Sequence, residues 1–435
     1  MKKVLGGIIL LVLVLLMGAP WYIGKQVETF YTQLTDESLM NNPSMDIKDL
    51  DYQRGWFSSV ITGDIILKAM GEDLALPVTI RFKSEVTHGP VFWSALSSGS
   101  PFGLALDRSS AWLEPVAEEV DEKTMANVRE IPSFEMESHI GFDKTISSVY
   151  SIAAYAKAFE SASKPATIDF AGLNGNGTYN WASKDFDFEA EMPSFTIKEN
   201  ETETFIVDKI LLSAAKAGGD TNARYDIDRI AFTSTESNIR FNLDKAYVAA
   251  MSKEAEEVYN STFETGFDNL TNNDLSFAPA KLEIMLDNLD KASMDTLRET
   301  INDVAASGSM NSDMYGMMIM GKLMELLPEI LKRDPKLTLA TLSLGTGKDE
   351  TLTATGYAEI IGEQAANLPS MTMLIQAVDA EFEASLPKAF LNTFMDLGQL
   401  MQLMDQGLLV SDENYYRTKA TIKEGHVTIN GNTIM

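Results

Sequence analysis

The chain offers few residues whose types and spacing could do chemistry. Its three histidines, His88, His139 and His426, are far apart and lack the local spacing usual in a histidine metal site. There is no cysteine, which excludes disulfides, zinc–thiolate sites and thiol catalysis. None of the phosphate-loop, dinucleotide, zinc-protease or serine-hydrolase motifs occurs, and Gly345-Thr346-Gly347-Lys348 reads as a hairpin turn. The acids Asp185, Asp187, Glu189 and Glu191 alternate with Phe186, Phe188, Ala190 and Met192, which is a solvated strand face rather than a glycosidase pair. Two stretches stand out. Tyr52-Gln53-Arg54-Gly55-Trp56-Phe57-Ser58-Ser59 combines a guanidinium, aromatic rings, a glycine and hydroxyls. It reads as a bent strand with Gly55 at a bulge, Arg54 paired with a carboxylate and the rings in the core. Its functional alternative is a docking surface beside a bilayer. Thr87-His88-Gly89-Pro90 reads as a turn. These residues predict no catalytic group, no cofactor and no metal site.

The elements around these stretches are mostly strands. Alternation predicts them at 45–52, 76–86, 131–142, 186–192, 275–289, 337–344, 352–361 and 373–386, with a terminal hairpin turning at Lys423-Glu424-Gly425. Asn174-Gly175-Asn176-Gly177 carries a hairpin signal. Helical spacing predicts helices at 25–39, 145–163, 244–260, 289–303 and 313–332, and a last one through Phe390, Phe394, Leu397, Met401, Met404 and Leu408. The methionine stripe Met314, Met317, Met318 and Met324 is expected in the core, with an adaptable apolar binding surface as the alternative.

The first residues are of another kind. Met1-Lys2-Lys3 precedes Val4 to Ile23, a run without a single charge. About 20 apolar residues in a helix span the roughly 30 Å of a bilayer's hydrocarbon core. The run is too long for a cleaved signal, and Met17-Gly18-Ala19 followed by Pro20 is a poor cleavage site. Trp21 and Tyr22 stand where an interfacial aromatic belt belongs. Residues 1–25 are therefore expected to be a retained signal-anchor with its N-terminus cytoplasmic. Residues 26–435 are expected to form an exported, β-rich ectodomain with two sub-lobes, about 26–243 and 244–435. The formal charge of −28 opposes contact with nucleic acid.

Both marked stretches carry a family resemblance. A single N-terminal anchor, then Tyr52-x-Arg54-Gly55-x-Phe57-Ser58-Ser59, then His88-Gly89-Pro90 after a strand, resembles the YdgA-like bacterial inner-membrane proteins, a family of unknown function. Asp334-Pro335 after a helix and the closing Val427-Thr428-Ile429-Asn430-Gly431 are similar too. The resemblance implies a bacterial envelope protein in the inner membrane and brings no catalytic residues.

Together these readings predict an α+β, β-rich protein: one transmembrane helix, then an extended antiparallel sheet with amphipathic helices packed on it. The expected role is a non-enzymatic periplasmic scaffold or interaction module, held in the inner membrane through residues 4–23, with an envelope protein or a second copy as partner. The alternative is lipid or apolar-ligand binding in a groove of the curved sheet.

Overall fold

The computed structural model describes residues 19–29, 45–67, 78–92, 101–115, 122–159, 165–199, 202–273, 275–306, 312–346, 350–366 and 371–434. Most of the expected membrane span, residues 4–18, lies outside the described residues, as do 30–39 of the helix expected to follow it. Among the described residues no helix is long and apolar enough to cross a membrane. The protein is β-rich, and antiparallel sheet dominates it.

The first described element is a helix through 19–29, α1. There follow β1 (Met45–Arg54), β2 (Ser58–Leu67), β3 (Val78–His88), β4 (Ala105–Pro115), α2 (Glu122–Arg129), β5 (Phe134–Ile140), β6 (Thr145–Ile152), β7 (Tyr155–Phe159), β8 (Ala166–Phe170), β9 (Leu173–Asn180) and β10 (Phe186–Glu199). Next come β11 (Glu203–Ala217), β12 (Asp220–Ser234), β13 (Ile239–Ala255), β14 (Val258–Phe267), β15 (Asn269–Asn272), β16 (Leu275–Phe277) and β17 (Ala280–Asp290). Helices α3 (Lys291–Ala306) and α4 (Ser312–Leu331) lead to β18 (Lys336–Gly345), β19 (Thr351–Ile360), α5 (Gly362–Ala366) and β20 (Val378–Pro387). The chain closes with α6 (Lys388–Phe394), α7 (Leu397–Asp405), β21 (Val410–Ser411), β22 (Tyr415–Lys423), β23 (His426–Ile429) and β24 (Asn432–Thr433).

Two compact units share the chain. The first is drawn from Met1–Ala156, Phe170–Met192 and Ile301–Ser312, the second from Lys157–Asp169, Pro193–Thr300 and Asp313–Met435. The division expected near 243/244 lies inside β13, which pairs with β12 along one edge and with β15 and then β14 along the other.

In the first unit β1, β2, β3, β4, β5, β6 and β9 pair in that order, each antiparallel to the next. Helix α1 lies on this sheet. Ile23 and Val27, one helical turn apart, join Ile61, Val86 and Ala105 in a buried cluster. The segment 145–163 is not a helix: Thr145–Ile152 is β6, with Ile146, Ser148, Tyr150 and Ile152 on one face. Open edges on β5 and β9 take both sides of its backbone, and that pairing outweighs a weak helical spacing. Asn174 to Gly177 is no turn either but part of β9. Gly175 lies opposite Tyr150, and a Cβ there would overlap the tyrosine ring. The absent side chain lets that ring stack on Phe188 at 5.3 Å and Phe134 at 5.9 Å.

The second unit is a long meander. Strands β11, β12, β13, β14, β17, β18, β19, β20, β22 and β23 pair in succession, all antiparallel. The helix expected at 244–260 is the hairpin of β13 and β14, because a ladder on each side overrides the helix propensity of its Ala, Glu and Lys residues. The helices expected at 289–303 and 313–332 are present as α3 and α4. Four methionines of α4 are not core: Met317, Met318, Met320 and Met324 are exposed, while Ile330 and Leu331 at its end are buried, and the Met314 side chain lies outside the described residues. The last expected helix is two. Asp396 caps α7 by accepting from the Gln399 N–H at 2.9 Å, while the Gln399 side chain accepts from the Asp396 N–H. The break turns the buried face to Leu400, which packs with Leu409 and Tyr416 and leaves Phe394, Leu397 and Met401 exposed.

Leu400→Ala is expected to lower unfolding stability by about 2–5 kcal/mol, while Leu397→Ala on the exposed side stays within about 0.5 kcal/mol. Urea denaturation followed by circular dichroism checks the pair.

Candidate functional site

The two stretches marked in the sequence meet around α1. The Gly55 N–H donates to the Ser58 carbonyl at 2.8 Å, which closes the turn between β1 and β2. The His88 N–H, at the end of β3, donates to the Phe57 carbonyl at 2.8 Å. Ser58 lies opposite Thr87 in the ladder, which places Ser59 and His88 on one face, beneath the helix. The Gly89 N–H then donates to the Leu104 carbonyl at 2.7 Å, and the Pro90 carbonyl accepts from the Gly103 N–H at 3.3 Å. Those two bonds tie the exit of β3 to the approach to β4.

Inside this frame a polar relay runs through the core. Tyr52 Oη donates to Ser59 Oγ at 2.9 Å, and Ser59 Oγ lies 2.9 Å from His88 Nε2. Ser59 is 1% and His88 3% exposed. His88 Nδ1 faces the carbonyl of Trp56 at 3.4 Å, and the Pro20 carbonyl of α1 also lies against the ring. The directions follow. Nδ1 carries the proton toward the carbonyls, Nε2 accepts from Ser59, and Ser59 accepts from Tyr52. Burial pushes the His88 pKa below its usual value, opposed by the two carbonyls, so the ring is neutral at pH 7. Burial likewise raises the Tyr52 phenol.

Helix α1 is shaped to this surface. Gly24 rests on the His88 ring, where a Cβ would overlap it. Glu28, one turn on, pairs with Arg54 at 2.6 Å, and the same guanidinium stands over the Trp21 ring at 5.7 Å. The expected carboxylate partner of Arg54 is therefore on the helix. The expectation that the rings of this stretch are core fails for Trp56 and Phe57, which are exposed, and holds in part for Tyr52. Sequence reasoning missed Gly24 and Glu28 because both lie at the edge of the apolar run and were read with it. The signal was present: Pro20, Ile23, Gly24 and Val27 form one helical stripe.

A Ser–His contact at 2.9 Å is the spacing of a nucleophile and its base. Here both groups are sealed under α1, and Nδ1 meets backbone carbonyls where a hydrolase places a carboxylate. The arrangement fastens a helix to a sheet. His139 is apart from it, with Nε2 at 2.9 Å from the Phe102 carbonyl and its ring edge-on to Phe92. His426 stands exposed in the terminal hairpin. Among the described residues no group of three metal-binding side chains occurs.

The second unit presents a surface of another sort. Its registers align whole rows of side chains. One row runs Leu212, Tyr225, Val248, Thr265, Leu282, Leu342, Ala354 and Ala384. The next runs Ala214, Ala223, Ala250, Phe263, Ile284, Leu339, Gly356, Phe382, Ala420 and Ile429. A bulge between Leu339 and Leu342 keeps both leucines on this face. The face is only half covered: Val248 is 43%, Phe263 40% and Phe382 36% exposed. The opposite face is a ladder of charges and hydroxyls. Arg224 pairs with Asp226 at 2.6 Å, Tyr247 donates to Glu264 at 2.9 Å, and Lys281 bridges Glu264 and Glu283 at 3.2 and 3.0 Å. Tyr357 donates to Asp379 at 3.0 Å, and Lys419 pairs with Glu381 at 2.6 Å.

Ser59→Ala is expected to cost about 1–3 kcal/mol by stranding Tyr52 Oη and His88 Nε2, measured by chemical denaturation. The histidine adds a pH dependence of known sign. The unfolded chain takes up a proton as pH falls through about 6.5 and the folded one only lower, so His88 withdraws stability at acid pH. Between pH 7.5 and 5.5 the wild type should lose up to about 1.4 kcal/mol per pH unit more than His88→Gln, whose curve lacks this component.

No curated protein and no solved structure matches the chain. A family of bacterial proteins matches it from end to end, over residues 1–435. The chain thus belongs to DUF945, a family of bacterial proteins of unknown function.

Proposed function

We propose that the protein is a YdgA-like, single-pass inner-membrane protein of the bacterial envelope. In this reading its N-terminus is cytoplasmic and its second unit holds acyl chains, or another apolar ligand, along the half-open sheet face in the periplasm. The observation that carries this is the pair of apolar rows in register across the sheet. At about 4.8 Å per strand, the ten-strand meander extends some 43 Å, long enough to lay an acyl chain across several strands. Apolar attraction is non-directional and scales with area, so rows made mostly of Leu, Val, Ala, Ile and Phe, interrupted by Tyr225 and Thr265, suit a flexible chain better than a shaped head group. Soluble monomers rarely leave apolar patches of more than a few hundred Å² in contact with water. The uncharged run from Val4 to Ile23 and the bacterial family support the anchor.

The role is binding without catalysis, since the Ser59–His88 pair is closed to substrate. A protein-docking scaffold is the second reading, favoured by the exposed methionines of α4, a side chain suited to adaptable contacts. Photo-reactive residues placed at Phe263 and Phe382 are expected to capture lipid in intact envelopes, while the same residues at Glu264 and Glu381 capture none. Equal labelling of both faces, or protein adducts alone, would overturn the lipid reading. Protein adducts from Met320 would support the scaffold.

A further inference from the structure

One end of the first unit's sheet carries aromatic side chains where turns ordinarily carry polar ones. The ladder brings four connections to that end. Ser59 pairs with Arg54, Ala105 with His88 and Ile140, Ile146 with Ile140, and Tyr179 with Phe186. Residues 55–57, 89–92 with 101–104, 141–144 and 181–185 are therefore neighbours on one rim. Trp56 and Phe57 stand on the first, Phe102 on the second and Phe142 on the third, each between 52% and 62% exposed. Trp181, with the Lys184 ammonium 4.0 Å over its ring, stands on the fourth. Helix α1 reaches the same rim with Pro20 against His88, and it presents Trp21 and Tyr22 to the outside. The chain that enters α1 is the uncharged run beginning at Val4.

From this we infer that the rim is a lipid-contacting surface: the turns bearing Trp56, Phe57, Phe102 and Phe142 lie in the interfacial layer of the bilayer that holds the preceding segment. Three facts select a bilayer as the occupant. Tryptophan settles at the head-group level, and phenylalanine buries at the boundary of head groups and acyl chains. They sit on successive turns at one edge, so a single plane can receive them together. The chain that leads to the rim, Val4 to Gly18, carries no charge and is mostly apolar. The charges of the rim are mixed. Arg54 is held by Glu28, Asp143 accepts from Thr145, and Lys144 makes no ion pair among the described residues. Contact therefore depends on ring burial and little on anionic lipid. The inference rests on the anchor in the proposed function and adds that the first unit is held against the membrane instead of swinging from it.

The chain has no native cysteine, so single cysteines can be labelled cleanly. Full-length Phe57→Cys, Phe102→Cys, Phe142→Cys and, on α2 at the other end of the sheet, Ala126→Cys are reconstituted in vesicles with an environment-sensitive fluorophore. One vesicle set is phosphatidylcholine, the other phosphatidylethanolamine with phosphatidylglycerol. The three rim labels are expected to shift to the blue and to be quenched by nitroxides placed about 5–10 Å deep, alike in both lipid mixtures, while the α2 label is unaffected. If the chain floats with the vesicles but the rim labels behave like the α2 label, the rim assignment is wrong and the anchor stands. Failure of the chain to float with the vesicles overturns both.

Discussion

The ring of His88 joins two pieces of chain that are far apart in sequence, the start of α1 and the first turn with the strand that leaves it. It meets the Pro20 carbonyl of α1, the Trp56 carbonyl of the first turn and the Ser59 hydroxyl of β2. A neutral imidazole can donate at one nitrogen and accept at the other, so one ring satisfies helix and sheet together. Charging it would put an uncompensated cation under a helix, beside Arg54, in a layer almost closed to water. The rest of the first unit depends on that closure. Ile23 and Val27 have a place to bury only because Gly24 lets α1 settle on the ring, and Glu28 then reaches Arg54. The stretches around Ser59 and His88 are in physical terms a latch for the helix that enters the domain.

The second unit rests on a different constraint, the strict alternation of side chains along paired strands. Once Leu282 faces one way, Glu283 must face the other, and the register carries that choice to each neighbouring strand. The result is a sheet with a hydrated face of linked charges and an apolar face. The charged face makes good use of the acidic composition, since Lys281 and Lys419 are each set among carboxylates. The apolar face is half covered, and that is where a ligand gains most by displacing water.

Much of the strand grammar was legible in the sequence. The β10 alternation of Phe186, Phe188 and Ala190 with acids, the terminal hairpin and the pairing of Arg54 with a carboxylate all read correctly. The failures have one cause. The segments 145–163 and 244–260 have local patterns compatible with a helix, and only the ladders on both sides make strands of Thr145–Ile152 and of the hairpin that 244–260 enters. Gly175 looked like a turn residue because its real partner, the Tyr150 ring, is 25 positions away in the chain. Met317 and Met324 looked like core because helical spacing says that a face is apolar without saying what lies opposite it.

By itself the sequence determined the class of the molecule. Period-two alternation, the absence of cysteine and of any reactive motif, and an uncharged run at the start are local properties that a single chain displays. Tertiary structure alone decided which residues meet. Ser59 and His88 are 29 positions apart, and Glu28 and Arg54 26, and nothing in their local spacing marks them as partners. They meet because hydrogen-bonded registers, summed strand by strand, set the end of β3 beside the first turn and leave a surface that one glycine-bearing helix can cover. The same summation gathered Trp56, Phe57, Phe102 and Phe142 onto one rim, an arrangement that depends on register and is therefore invisible to any window along the chain.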